Sequence, residues 1–486
     1  MPTTATETTA GNRTAEGSGI TIQDPRSGEV LWTVPEAGPE AVSHAVSVAR
    51  GEAAGWAATA PAERGAALKA AAKALAAAAQ ELAGLNASET GRPEDEALAG
   101  IAAGVSTLEQ YAELGPVHRG HSLRGNRLAS DYTRAEPRGV AVLLTPWNDP
   151  VAVACGLIGA ALVTGNTVIH KPSERCPRLG EALGEVLAPA FPAGVFQTIS
   201  GGADVGASLS QAEVDVIAHV GSSASGARIA RAAALTGAHV LRENGGNDPL
   251  LVDRDVDPGW AAQQAAIGAF SNSGQICTSV ERIYVHKDIA AEFCKALEAE
   301  AALRNNSGSV APLVDLRMRD AVHAHVTEAL AQGARTVEGG ALPDGPGSFY
   351  PATVLLDCTE TMQVMTEETF GPVAPVQVVD TFDDGLRLAC SGRYGLAATV
   401  LSSNIAHIQQ AVAALPVGTV KVNAVFGGAP GGAAQPRGES GAGFGYGPEL
   451  LDEFSQVKVV HIAAPPAAGS GDGADSGIST EEQDLP

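Results

Sequence analysis

The stretch GVAVLLTPWNDPVAVACGLIGAALVTGNTVIHKPSE, residues 139–174, carries the reading of the fold. GVAVLLTP is a short apolar run stopped by a proline, as a buried strand would be. VAVACGLIGAALVTGN reads as a helix closed by Gly165 and Asn166. TVIHKPS is strand-like again. The same alternation continues downstream: helix in PRLGEALGEVLAPAF, strand in GVFQTIS, a short helix around DVGASLSQ, strand in VDVIAHVGS, helix in SASGARIARAAALTG, strand in AHVLREN. Strands alternating with helices predict an α/β fold with a parallel sheet and right-handed crossovers. Such a sheet binds ligands at the carboxyl ends of its strands. Upstream, LKAAAKALAAAAQELAGL within residues 39–104 has helical composition, interrupted at Gly91, Arg92 and Pro93. Downstream of Pro249, the strand-like runs IYVHKD, TVLLDC, APVQVVD and LAATVLS predict a second α/β domain.

Four short stretches could carry chemistry. FSNSGQICTSVER (270–282) sets Cys277 among small and polar residues that leave a thiol accessible. TPWNDP (145–150) follows a strand and offers the Asn148 amide. HKPSE (170–174) offers Lys171 and Glu174 to hydroxyls and phosphate. LRENGGNDP (241–249) sets Glu243 beside Gly245 and Gly246, as a general base with close backbone approach would be. Each has a plainer reading in isolation: a packed cysteine, a turn asparagine, a solvated loop, a surface acid.

In this order and spacing the four stretches resemble the NAD(P)-dependent aldehyde dehydrogenase superfamily, from about residue 20 to about 462. EETFGPV (367–373), YGLAATV (394–400), KVN (421–423) and ESGAGFGYG (439–447) fall where the family has related segments. The resemblance implies a Rossmann-type cofactor domain, an α/β catalytic domain and a small β oligomerisation arm. It implies Cys277 as nucleophile on an aldehyde carbon, Asn148 and the Cys277 backbone N–H as oxyanion donors, and Glu243 as the base that activates water. Thr145, Pro146, Trp147, Lys171, Ser173, Glu174, Gly202, Gly206, Gly221, Ser222, Glu368 and Phe370 would contact the cofactor, with Ser222 at a helix start favourable to pyrophosphate. A carboxylate at Glu174 repels a 2′-phosphate, so NAD is expected, with NADP the alternative. Retaining Glu243 favours water over coenzyme A as the deacylating group. The domains expected are 20–116 with 137–245 for the cofactor, 246–440 for catalysis, and 117–136 with 441–462 for an arm pairing subunits into a homodimer or homotetramer.

The chain also departs from that pattern. ENGGN places Asn244 and Asn247 where a leucine and a lysine are usual, and SGGADVG (200–206) begins with Ser200. Asp149 replaces an aromatic residue and is expected to cap the following helix. Val153 and Gly156 would leave an open funnel, and GGAPGGAAQPRGES (427–440) is a glycine-rich insert. One alternative is a succinate-semialdehyde-type enzyme, suggested by CTSVERIYV. Another, of a different class, is a non-catalytic homologue.

Composition bounds the rest. The 486 residues carry a formal net charge of −24, which argues against nucleic acid and anionic membranes as partners. No apolar run is long enough to span a bilayer, and no leader segment is apparent in the first 19 residues. The six cysteines show no CxxC pair, so a cytoplasmic setting is expected and no metal site. Residues 1–19 and the acidic 463–486 read as disordered.

Overall fold

The structure is a computed structural model that describes residues 19–427 and 433–465. The expected disordered ends (but for Gly19 and Ala463–Pro465) and part of the glycine-rich insert lie outside the described residues.

The stretch 139–174 folds as strand Val140–Leu144, helix Pro150–Thr164 and strand Thr167–Lys171. Pro150 opens the helix, where its missing N–H costs nothing, and Gly165 closes it with φ 100°, a left-handed turn that glycine adopts without strain. The two strands pair in parallel, Val140 opposite Thr167 and Leu144 opposite Lys171. Both are buried at every residue, as strands covered on two faces must be. Their side chains divide by parity: Ala141 and Leu143 enter one apolar cluster, Val140, Val142 and Leu144 the other. Helices therefore cover both faces of this sheet.

The full sheet has six strands, in the order Gly441–Ala442, His239–Asn244, Val216–Gly221, Val140–Leu144, Thr167–Lys171, Phe196–Thr198. All but the first run parallel; Gly441 pairs antiparallel with Glu243. The segment expected to be arm throughout 441–462 thus divides. Gly441–Ala442 extends this sheet, and Leu450, Leu451 and Phe454 enter its core.

A second sheet has seven strands, in the order Arg335–Glu338, Thr353–Leu356, Val373–Val379, Val280–His286, Asp248–Val252, Ala397–Leu401, Thr419–Val422. Only the Arg335–Glu338 edge is antiparallel. Its two faces also carry separate cores, Leu251 and Tyr284 in one, Leu250 and Ile283 in the other. Four helices, Pro39–Ala58, Pro61–Ala77, Ala79–Thr90 and Glu94–Leu114, fill the alanine-rich region, broken at Gly91–Pro93 as its sequence suggests.

Contacts divide the chain into two compact units. Among the described residues, the small one comprises 119–135 and 457–465. It contains most of a three-stranded sheet, Ser455–Ala463, Ala129–Pro137 and Ser122–Leu123 in order; Ser455, Gln456, Glu136 and Pro137 belong to the larger unit. Val457, Val459 and Ile462 are exposed on it.

Candidate active site

The loops that matter leave the six-stranded sheet at the carboxyl ends of its parallel strands and enter the seven-stranded sheet ahead of its strands. Thr145–Asn148 follows Val140–Leu144, and Pro172–Glu174 follows Thr167–Lys171. Glu243 lies near the end of His239–Asn244, while Cys277 and Glu368 precede Val280–His286 and Val373–Val379.

The turn before Cys277 answers why its neighbours are small and polar. Asn272, Ser273 and Gly274 all have positive φ (46°, 53° and 71°). Left-handed backbone is costly for most residues and tolerated best by Asn and Gly. A Cβ at Gly274 would lie 2.1 Å from the Gly371 carbonyl oxygen. Side chains pin the turn: Ser273 Oγ donates to the Ala311 carbonyl at 2.6 Å and Ser279 Oγ to Gly274 at 3.1 Å. Gln275 Oε1 accepts from the Val314 N–H at 2.9 Å. The backbone is thus fixed and Cys277 itself stays exposed.

That exposure is local. Cys277 sits in a recess with protein on most sides, and its thiol is pushed up to about 12. Burial is the main cause, followed by the Glu243, Asp248 and Glu368 carboxyls, with Lys421 opposing them.

Asn148 reaches the same turn, its Nδ2 donating to the Gln275 carbonyl at 3.1 Å. An amide nitrogen has two hydrogens, so one donor remains. Its own carbonyl oxygen accepts from Arg92 Nη1 at 3.0 Å. Arg92 also pairs with Asp149 at 2.8 Å. Asp149 occupies the N-cap position of helix Pro150–Thr164 but makes no cap with its side chain, contrary to expectation. The carboxylate turns to the guanidinium instead, and Gly100 leaves it room: a Cβ there would lie 2.6 Å from Asp149 Oδ1.

Glu243 is held otherwise. Its Oε1 is buried with no hydrogen-bond partner among the described residues, and burial raises its carboxyl to about 8, offset in part by the Gly445 amide. Gly445 must be glycine at this approach, since a Cβ would lie 2.2 Å from the Glu243 carboxyl group.

The expected cofactor residues form a rim. Thr145 Oγ1 meets His170 Nε2 at 2.8 Å, and burial keeps that imidazole neutral, at about 3. Lys171 Nζ donates to the carbonyls of Pro172 (2.8 Å) and Gly201 (2.7 Å), leaving one hydrogen. Gly206 lies beside its stem, a Cβ there meeting Lys171 Cε at 3.6 Å. Ser173 Oγ accepts from the Arg175 N–H at 3.2 Å. Ser222 caps helix Ser223–Thr236, accepting from Ser225 N–H at 3.3 Å, with Gly221 just before it and the buried Ser223 hydroxyl unpartnered among the described residues. Trp147, next to Pro146, meets Phe370 edge-on at 5.6 Å and carries the Arg175 guanidinium over its ring at 5.3 Å. Glu368 lies over Gly245, where a Cβ would be 1.9 Å from its Oε1. Glu174 and Gly202 line a cavity of about 400 Å³ whose walls do not include Cys277. A helix N-terminus, a buried cation with a free hydrogen and an orphaned serine hydroxyl fit a dinucleotide.

Sequence reasoning missed Arg92, Gly445 and Glu281; only Glu281 had a local signal, a Glu-Arg pair in an apolar strand. Among the described residues, no three His, Cys, Asp or Glu side chains are grouped to hold a metal ion.

The aldehyde dehydrogenase family profile matches residues 13–460. A betaine aldehyde dehydrogenase of Cereibacter sphaeroides is 34% identical over 406 residues, 80% of this chain and 82% of that protein. The betaine aldehyde dehydrogenase of Staphylococcus aureus in complex with NAD+ superposes with a TM-score of 0.90 at 28% identity, covering 95% of each chain. Succinate-semialdehyde dehydrogenase of Burkholderia pseudomallei gives 0.88 at 29%, covering 92% of this chain and 95% of that one. The chain belongs to the aldehyde dehydrogenase family, and its reaction is NAD(P)-dependent oxidation of an aldehyde.

Proposed function

We propose that Cys277 is the nucleophile of this reaction, Asn148 its oxyanion donor and Glu243 its hydrolytic base. The observation that carries the assignment is their convergence: Asn148 bonds the turn that presents Cys277, and Glu243 acts on the same thiol. Cys277 Sγ, its thiol proton released to water, adds to the carbonyl carbon, and the C=O π electrons move onto the oxygen. The free Asn148 hydrogen and the Cys277 N–H bind the oxyanion that forms. When bound, NAD(P) would supply the acceptor for the hydride that leaves the former carbonyl carbon. Cys277 is left as a thioester, a bond that water cleaves once a base removes its proton. Glu243 suits that step, because its unbonded Oε1 is free to accept and burial makes it more basic than an ordinary carboxylate. Lys171, Ser222 and the Glu174–Gly202 cavity would hold the adenosine and pyrophosphate half. Trp147, Glu368 and Phe370 would meet the nicotinamide half. Glu174 favours NAD over NADP.

The aldehyde we expect is neutral or cationic. Arg92 Nη1 is held by Asp149 and the Asn148 carbonyl, so its charge is already paired with a carboxylate of the chain. This disfavours the succinate-semialdehyde alternative. Ala152, Val153 and Gly156 lie on the less buried face of the helix after Asn148, and a Cβ at Gly156 meets nothing within 4 Å, consistent with an open funnel. Betaine aldehyde, named for the relatives, is a cation of this kind. A homo-oligomer paired through the exposed Ser455–Ala463 strand, in the cytoplasm, completes the reading; no helix among the described residues is long and apolar enough to cross a membrane.

The test is reduction of NAD or NADP with betaine aldehyde, lactaldehyde, succinate semialdehyde and benzaldehyde, alongside Cys277→Ala. Turnover with NAD, lost in the variant, is expected. Equal turnover in the variant would refute the assignment of Cys277. A marked preference for succinate semialdehyde would refute the substrate reading.

A further inference from the structure

Strand Val280–His286 is buried at every residue, yet it carries Glu281 and Arg282 side by side. Charges withdrawn from water are tolerated only when their polar atoms are matched. Arg282 is matched by the Asn247 carbonyl at 2.9 Å and the Tyr284 hydroxyl at 3.3 Å. Glu281 finds its partners far away in sequence. Its Oε1 accepts from the Phe370 N–H at 2.8 Å and its Oε2 from the Thr369 N–H at 2.9 Å. Asn247 Nδ2 reaches the same Oε2 at 3.3 Å and also donates to the Glu367 carbonyl at 3.0 Å.

Consecutive backbone N–H groups aimed at one point form an anion cradle. Here a carboxylate of the chain itself fills it. The cradle exists because Phe370 is held at φ 51°, a left-handed conformation that is a true outlier for a bulky side chain. Such strain persists only where surroundings over-determine it, and it concentrates at ligand clamps. The turn so held carries Glu368 over Gly245 and Phe370 against Trp147.

We propose that Glu281, backed by Asn247, is a positioning residue that locks the Glu367–Phe370 turn so that Glu368 and Phe370 meet the nicotinamide half of the cofactor. This rests on the roles given to Glu368 and Phe370 above. Glu281 touches no reacting atom. Its two oxygens serve two amides, so a glutamine, with one acceptor oxygen, keeps half the tie and an alanine none. Asn247, standing where the family pattern has a lysine, takes part in the same tie.

The test uses the full-length protein and two readouts. The first is amide hydrogen exchange at Thr369 and Phe370 without cofactor. The second is the dissociation constant for NAD. Loss of a buried charge-assisted hydrogen bond corresponds to roughly 10-fold or more. Glu281→Ala is therefore expected to speed exchange at these amides about 10-fold or more and to raise the dissociation constant comparably, with Glu281→Gln between it and wild type. Should the alanine variant fail to fold, the glutamine variant carries the comparison. Unchanged exchange in a folded variant would overturn the proposal. Faster exchange with unchanged NAD affinity would also overturn it, by detaching the turn from the cofactor. Exchange needs no catalysis, so it reports on the tie even if the enzymatic reading fails; that reading is judged separately, by wild-type turnover.

Discussion

Glu243 and Glu281 are both carboxylates withdrawn from water, a short way apart in sequence, and they are treated in opposite ways. Glu243 has a buried oxygen with no donor and rests against Gly445. Glu281 takes two backbone amides and the Asn247 side chain. Burial alone pushes both upward, but only Glu281 has its acceptor capacity filled. The difference teaches what burial does to an acid. Without donors it leaves a strong base with a free lone pair; with donors it makes a clamp for someone else's backbone.

The comparison breaks most visibly in kinetics. Glu243→Gln is expected to lower steady-state turnover by about 10²–10⁴, the range for loss of a general base. Glu281→Gln should act mainly through cofactor affinity. Equal losses in turnover, at saturating cofactor, would erase the distinction.

Stability should move in the other direction. Glu281→Ala leaves the buried Thr369 N–H and the partly buried Phe370 N–H unpaired, the first at about 1–3 kcal/mol. Thermal or denaturant unfolding should show it clearly destabilised. Glu243→Gln removes a group starved of donors and should be neutral or mildly stabilising in the same assay. A large loss from Glu243→Gln would mean that Oε1 too is bonded.

The pH dependence follows from the folded carboxyl of Glu243 lying near 8 against an ordinary value of 4.5. Its folded pKa is raised, so its contribution to stability is fully present below the ordinary value. That contribution is lost as pH rises through about 8. Hydrolysis of the thioester, which needs the carboxylate, should rise over the same window. Glu243→Gln should flatten the stability change between about pH 5 and 8. A stability profile with the same slope in the variant would assign it to other acids, Asp248 first, whose burial also raises it to about 8.

The smallest effect belongs to Asp149→Asn. Its partner Arg92 is largely covered, but Asp149 is 37% exposed, so the pair is worth at most about 1 kcal/mol. The unfolding midpoint should barely move. A cap would have been legible locally, and the local rule misled: Arg92 lies 57 positions upstream, so no short-range pattern could reveal that it claims this carboxylate.

The same division runs through the whole site. The alternation of strands and helices in 139–244 was legible, since period and punctuation are local properties. Asn148, Cys277 and Glu243 were visible as candidates in their short stretches, but each had a plainer local reading, and the roles proposed for them came from the family resemblance of the stretches taken together. What escaped reading depends on distance along the chain. Glu281 meets amides 88 and 89 positions later, and Glu243 is shaped by Gly445 from the far end of the fold. The placement of Gly441–Ala442 on the first sheet escaped for the same reason: two residues carry no strand period.

The most direct measurement of the central claim is intact-protein mass after mixing Glu243→Gln with NAD and an aldehyde that the wild type oxidises. The expected result is one equivalent of reduced nicotinamide and an acyl group retained on Cys277, because acylation proceeds and hydrolysis stalls. Continuous turnover with no retained acyl group would contradict the assignment of Glu243 as the base.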